Sequence, residues 1–148
     1  MKLMKKILIL GGTGFIGYNL SKTLQKDSNN IVHIADNLSR GQLDNYIKSI
    51  LKNDNIRFIE GDFTEYSAFD LLDNDYDYVY MLASIVGVNN ALDFPDKIIK
   101  VNSLLILNTL EWIKNSNVKK VLYTSTSENY AGTIDKFGYD IPTPENVP

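Results

Sequence analysis

Seven residues near the amino end, Gly11-Gly12-Thr13-Gly14-Phe15-Ile16-Gly17, place glycines at two overlapping spacings: Gly12, Gly14 and Gly17 as G-x-G-x-x-G, and Gly11, Gly14 and Gly17 as G-x-x-G-x-x-G. Glycines so spaced let the backbone bend sharply and come close to a ligand. A helix opening there presents unpaired N–H groups and the positive end of its dipole, which suits phosphate. A carboxylate follows. Asp36 stands nineteen residues after Gly17, at the end of the apolar run Ile31 to Ala35. An acid at the end of a second strand accepts the two hydroxyls of a ribose, so turn and acid together predict a dinucleotide site. Asp36 predicts NAD over NADP, because a 2′-phosphate beside it meets like charge, roughly 4 kcal/mol at about 4 Å and an effective dielectric near 20. Arg40 is the nearby residue that would argue for the phosphate.

The elements that must position these groups are legible as apolar runs of strand length alternating with stretches of helical period. Strands are expected over 6–10, 31–35, 56–60, 78–82 and 118–124, and helices over 15–26, 42–52, 66–72 and 96–115. Successive βα steps require crossovers that return over a parallel sheet, which predicts an α/β, Rossmann-like, doubly wound sheet of about five strands with helices on both faces. Residues 1–131 form the expected dinucleotide-binding unit. Residues 132–148 carry three of the four prolines without clear period, and are expected to be a loop leading to a further catalytic and substrate-binding part. The alternating Tyr76, Tyr78 and Tyr80 read as a stripe on one strand face, and His33, inside a strand, as a packed imidazole.

The totals exclude several function classes. The 148 residues are 44% hydrophobic and 22% charged, ordinary for one globular domain, and the formal net charge of −3 lacks the basic excess of a nucleic-acid binder. There is no cysteine and one histidine, so neither a disulfide framework nor a zinc site is expected, and a cytoplasmic location fits. The run Ile7 to Leu10 is too short for a signal core or a membrane span.

Taken together, these residues resemble the extended short-chain dehydrogenase/reductase family, the NAD-dependent epimerases and dehydratases that act on nucleotide sugars. DNLSRG (36–41) resembles the family's stretch after the second strand, and EGDF (60–63) its adenine-contacting segment. LAS (82–84) is similar to the fourth-strand end, and STSENY (125–130) to the fifth-strand motif. The resemblance implies a cofactor site made by Gly11, Gly14, Phe15, Ile16, Gly17, Asp36, Asn37, Asp62, Phe63, Leu82, Ala83, Ser84 and Asn102. It implies a nucleotide-sugar pocket including Val86, within SIVGV (84–88), and Thr126. Two readings stay open beside it: Asp62 also has the type and place of a helix cap, and Asn102 those of a structural polar group on a half-buried helix. Met81 stands where the family often has histidine, and Asn129-Tyr130-Ala131 where it has Val-Tyr-Gly.

The resemblance places a catalytic hydroxyl at Thr126, which would hold the sugar alcohol while hydride leaves. Glu128, which burial would make a usable acid or base, would assist at the adjacent carbon. The family's base, a tyrosine four residues before a lysine, would fall just past Pro148. The one such spacing in the chain, Tyr18 and Lys22, lies on the first helix, which runs away from the site of hydride transfer. The expectation is therefore the amino-terminal, NAD-binding part of an enzyme oxidising its sugar transiently at C4, with epimerase, dehydratase and decarboxylase outcomes open. The alternative is an inactive NAD-binding module acting as a sensor or partner subunit. An uncovered fifth strand predicts self-association, in line with a homo-oligomer.

Overall fold

The computed structural model describes residues 3–126. Strands β1 (Lys5–Leu10), β2 (Asn30–Asp36), β3 (Ile56–Glu60), β4 (Tyr78–Met81) and β5 (Lys120–Tyr123) form one all-parallel sheet in the order β3-β2-β1-β4-β5. Helices α1 (Phe15–Leu24) and α2 (Asn45–Ile50) carry the first two crossovers. A 3-10 helix (Tyr66–Leu71) and helices α3 (Val88–Asp93) and α4 (Pro95–Lys114) carry the others. The first two connections build outward from β1 on one side, and the third jumps back across it to β4. The order therefore reverses beside β1, and ligands of such sheets bind outside the strand ends at that reversal.

Alternation along the strands divides the core in two. Ile7, Ile9, Val32 and Ile34 point to the face covered by α1 and α2, where Ile47 and Ile50 join them. Leu8, Leu10, Val79 and Met81 point to the other face, against Phe63, Phe69 and the α4 residues Leu105 and Trp112. The doubly wound expectation is borne out. Helix α4 begins with Pro95 and Asp96 in its first turn, where a missing N–H and a negative charge both suit the end, and buries Leu105, Thr109 and Trp112 at helical spacing.

Several boundaries differ for physical reasons. Asp44 accepts the N–H of Ile47 at 2.8 Å, so α2 opens at Asn45, not at 42. The helix expected over 66–72 is a single 3-10 segment. Helix α3, unanticipated, follows Gly87 at φ 116°. Tyr76 breaks the expected stripe: it precedes β4 and is buried with Leu8 and Trp112, whereas Tyr78 and Tyr80 pack on the α1 face. His33 is buried, its Nδ1 2.8 Å from the Tyr76 hydroxyl, which also accepts the Asp73 N–H at 3.4 Å. Burial lowers the pKa of His33 and raises that of Tyr76, so burial favours the neutral form of both partners in that hydrogen bond. No described helix is long and apolar enough to cross a membrane.

Candidate functional site

The glycine turn sits where β1 ends, between β2 and β4. Leu10 is in register with Ala35 on one side and Met81 on the other. The turn is fastened to both neighbours: Gly11 N–H donates to the Ala35 carbonyl at 2.8 Å, and Leu82 N–H donates to that of Leu10 at 2.9 Å. Gly11 has φ 82°, and a Cβ there would stand 2.7 Å from the Ala83 nitrogen, so both its conformation and its closeness to the end of β4 require glycine. At Gly17 a Cβ would collide with the Gly11 carbonyl oxygen and stand 2.7 Å from the Gly12 Cα. Ser21, one turn on, is buried and donates to the Gly17 carbonyl at 2.7 Å. These small residues seat α1 against the turn.

Gly14 precedes α1 in extended conformation and offers no side-chain cap. The first-turn N–H groups of Phe15, Ile16 and Gly17 therefore keep their donors for something outside the helix. The Phe15 and Ile16 side chains are both exposed, which leaves that approach open. Asp36 sits beside the turn. Its Oδ2 accepts the Thr13 N–H at 3.1 Å and its Oδ1 the Leu38 N–H at 2.9 Å. Those bonds fix the carboxylate, and each oxygen retains a further lone pair for a ligand hydroxyl. Leu38 holds a left-handed φ of 57° to make its bond, and Asn37 Oδ1 accepts the Ser39 N–H at 3.0 Å.

Beyond β4 the chain leaves the sheet through Leu82, Ala83 and Ser84. Asn102 of α4 fixes this exit: its Oδ1 accepts the Ile85 N–H at 2.8 Å and its Nδ2 donates to the Ile85 carbonyl at 3.0 Å. Beside it lies a cavity of about 240 Å³, where Ala83, Ser84, Val86, Asn102 and Thr126 are brought together. Ile106 and Tyr123, whose types gave no signal in the sequence, also line it, together with Ser125 of the STSENY stretch. A larger hollow of about 520 Å³ lies around Lys6, Asp73 and Asp75, where the opposite ends of the strands emerge. It gathers none of the expected site residues, whereas the smaller cavity gathers five of them.

Other expected residues fall differently. The Asp62 carboxylate accepts from Thr64 N–H at 3.0 Å and from its hydroxyl at 2.8 Å, forming a local turn; the 3-10 helix that follows is preceded by Glu65. The Phe63 ring is buried against Phe69 in the core, so its backbone alone could face a ligand. Tyr18 and Lys22 meet as cation over ring, 5.6 Å to the centroid, and Tyr18 packs on the α1 face, away from the Met81 and Ile106 side where Thr126 lies. Glu128 and the segment 132–148 lie outside the described residues. Among the described residues, no three His, Cys, Asp or Glu side chains gather as metal ligands.

The residues present fit a dinucleotide: an uncapped helix end, a turn shaped by glycine, a fixed carboxylate and, inside the turn, a buried Thr13 hydroxyl with no partner among the described residues. The comparisons agree. UDP-glucuronate 4-epimerase of Thermodesulfobacterium geofontis is 31% identical over 144 residues, covering 90% of this chain and 43% of that protein. The dTDP-D-glucose 4,6-dehydratase of Dictyostelium discoideum is 34% identical over 137 residues, covering 88% of this chain and 31% of that protein. The Bordetella bronchiseptica enzyme WbmF, solved in complex with NAD+, superposes with a TM-score of 0.72 at 30% identity, over 86% of this chain and 38% of WbmF. The chain thus spans less than half the length of each. The profile of one family matches residues 7–147, and the chain belongs to it: the NAD dependent epimerase/dehydratase family.

Proposed function

We propose that the chain is the NAD-binding part of a nucleotide-sugar epimerase or dehydratase that works by transient oxidation at sugar C4. The observation that carries this reading is the Asp36 carboxylate held by the glycine turn itself, through the Thr13 N–H. The first-turn N–H groups of α1 would bind the pyrophosphate and Asp36 the adenosine ribose. Asp62 and the backbone at Phe63 would border the adenine, and Ser84 and Asn102 would keep the exit of β4 in place for the second ribose. NAD, when bound, supplies the hydride acceptor. Thr126, on the cavity of about 240 Å³, would hold the sugar alcohol in line, with Val86 against the sugar. Tyr18 is not the proton acceptor of that step, since it packs on the opposite face of the sheet.

Calorimetric titration with NAD and NADP tests the binding half, with NAD the tighter ligand; tighter NADP would overturn it. Thr126→Val in the full-length enzyme tests the other half. Removing a hydroxyl that acts in the transition state should cost about 10²-fold or more in kcat with NAD affinity nearly unchanged. Unchanged turnover would remove Thr126 from the chemistry.

A further inference from the structure

Thr13 does more than complete the glycine turn. Its N–H reaches Asp36, and its side chain lies under the segment that follows β2: a Cβ added at Gly41 would stand 2.6 Å from Thr13 Oγ1 and 3.2 Å from Thr13 Cβ. That contact buries the hydroxyl, and Thr13 Oγ1 has no hydrogen-bond partner among the described residues. Burying a hydroxyl unpaired forfeits its bonds to water without replacement. Valine has nearly the same shape and would pack on Gly41 without that loss. The packing needs only the outline of the side chain, so the hydroxyl answers to a state in which it has a partner.

Two features say where that partner comes from. The neighbouring polar group is Asp36, whose Oδ2 takes the Thr13 N–H, so a diol received by the carboxylate arrives beside the threonine. The cover over the hydroxyl is held in a conformation that leucine seldom adopts, with Leu38 at φ 57° secured by its bond to Asp36 Oδ1. We infer that Thr13 is a binding residue for the adenosine end of the dinucleotide, its hydroxyl bonding a ribose hydroxyl next to Asp36 while residues 37–41 shift to admit it. The inference rests on the dinucleotide reading given above, and deepens it.

The test is a pair of measurements on Thr13→Val and Thr13→Ser. Urea denaturation without ligand should show the valine variant at least as stable as the unmodified chain, since an unpaired buried hydroxyl has gone. Calorimetry with NAD should show it binding about 3- to 10-fold more weakly, the worth of one hydrogen bond, with serine restoring the affinity. Should valine fail to fold, Thr13→Ala lacks the hydroxyl and adds no bulk, and gives the same reading. Equal affinity in valine and unmodified chains would overturn the inference, as would serine binding as weakly as valine. If the unmodified chain takes up no NAD, the dinucleotide reading falls and this inference with it; normal binding insensitive to residue 13 sinks this inference alone.

Discussion

Replacing Asp36 tests the site most directly, because its carboxylate has two tasks that fail in different measurements. Within the protein it accepts the Thr13 N–H at 3.1 Å and the Leu38 N–H at 2.9 Å. Hydrogen bonds to a charged group are worth about 1.5–3 kcal/mol each. The side chain is half-buried, so in Asp36→Ala water can take over part of both bonds, and the expected loss of stability is about 1–3 kcal/mol, not the full sum. Toward a dinucleotide the same acid would accept two hydroxyls. Losing both should weaken NAD by about 10²-fold or more. The two effects separate in Asp36→Asn, which keeps an acceptor and the shape but loses the charge. A 2′-phosphate is then no longer opposed by a like charge, a repulsion of roughly 4 kcal/mol at about 4 Å and an effective dielectric of 20. Calorimetry with NAD and NADP, beside urea denaturation of each variant, should show the preference for NAD shrinking by at least about tenfold in asparagine while the fold holds. If that ratio stays constant as the charge is removed, Asp36 is a structural clamp and the selectivity argument fails.

Three further outcomes follow from the geometry. In Gly17→Ala the added methyl collides with the Gly11 carbonyl, so the turn must shift; stability should drop by about 1–3 kcal/mol in urea and NAD affinity should fall with it, and an unperturbed variant would contradict the packing. His33 has its pKa lowered from the ordinary 6.5 by burial, with Lys6 and Arg57 adding to the shift and Asp73 and Asp75 opposing it. The unfolded chain therefore takes the proton first, and stability present above pH 6.5 is lost as pH falls toward the depressed value. His33→Gln, which keeps an acceptor for the Tyr76 hydroxyl and does not titrate, should flatten stability between about pH 7 and 5; an unchanged slope would put the titration elsewhere. Finally, β5 is exposed along its length, with Val121, Leu122 and Tyr123 open on its surface, so light scattering should report masses above one chain at high concentration.

What the sequence disclosed was what short stretches decide by themselves. The strand at Ile7 to Leu10 buries both faces, so it reads as an unbroken apolar run followed at once by glycine. The glycine spacing is a local backbone requirement and is visible as such. Features fixed by distant partners were not visible. The Phe63 ring turns into the core because Phe69 and α4 cover that face, and Asn102 meets Ile85 only because α4 folds back over the exit of β4. Tyr76 leaves its stripe to meet His33, 43 positions away in the chain.

Asp36 and the glycines illustrate both cases together. Each could be found alone, one as an acid ending an apolar run and the other as a spaced set of small residues, and their separation in sequence suggests two contacts on a ligand. The Thr13 N–H bond to the carboxylate makes them one mechanical unit. A shift in the turn must move the acid, and strain at Leu38 must reach the turn through the acid's other oxygen. For that reason a perturbation at Gly17 should weaken ribose recognition as well as phosphate binding, although Gly17 itself packs on the turn and touches neither Asp36 oxygen.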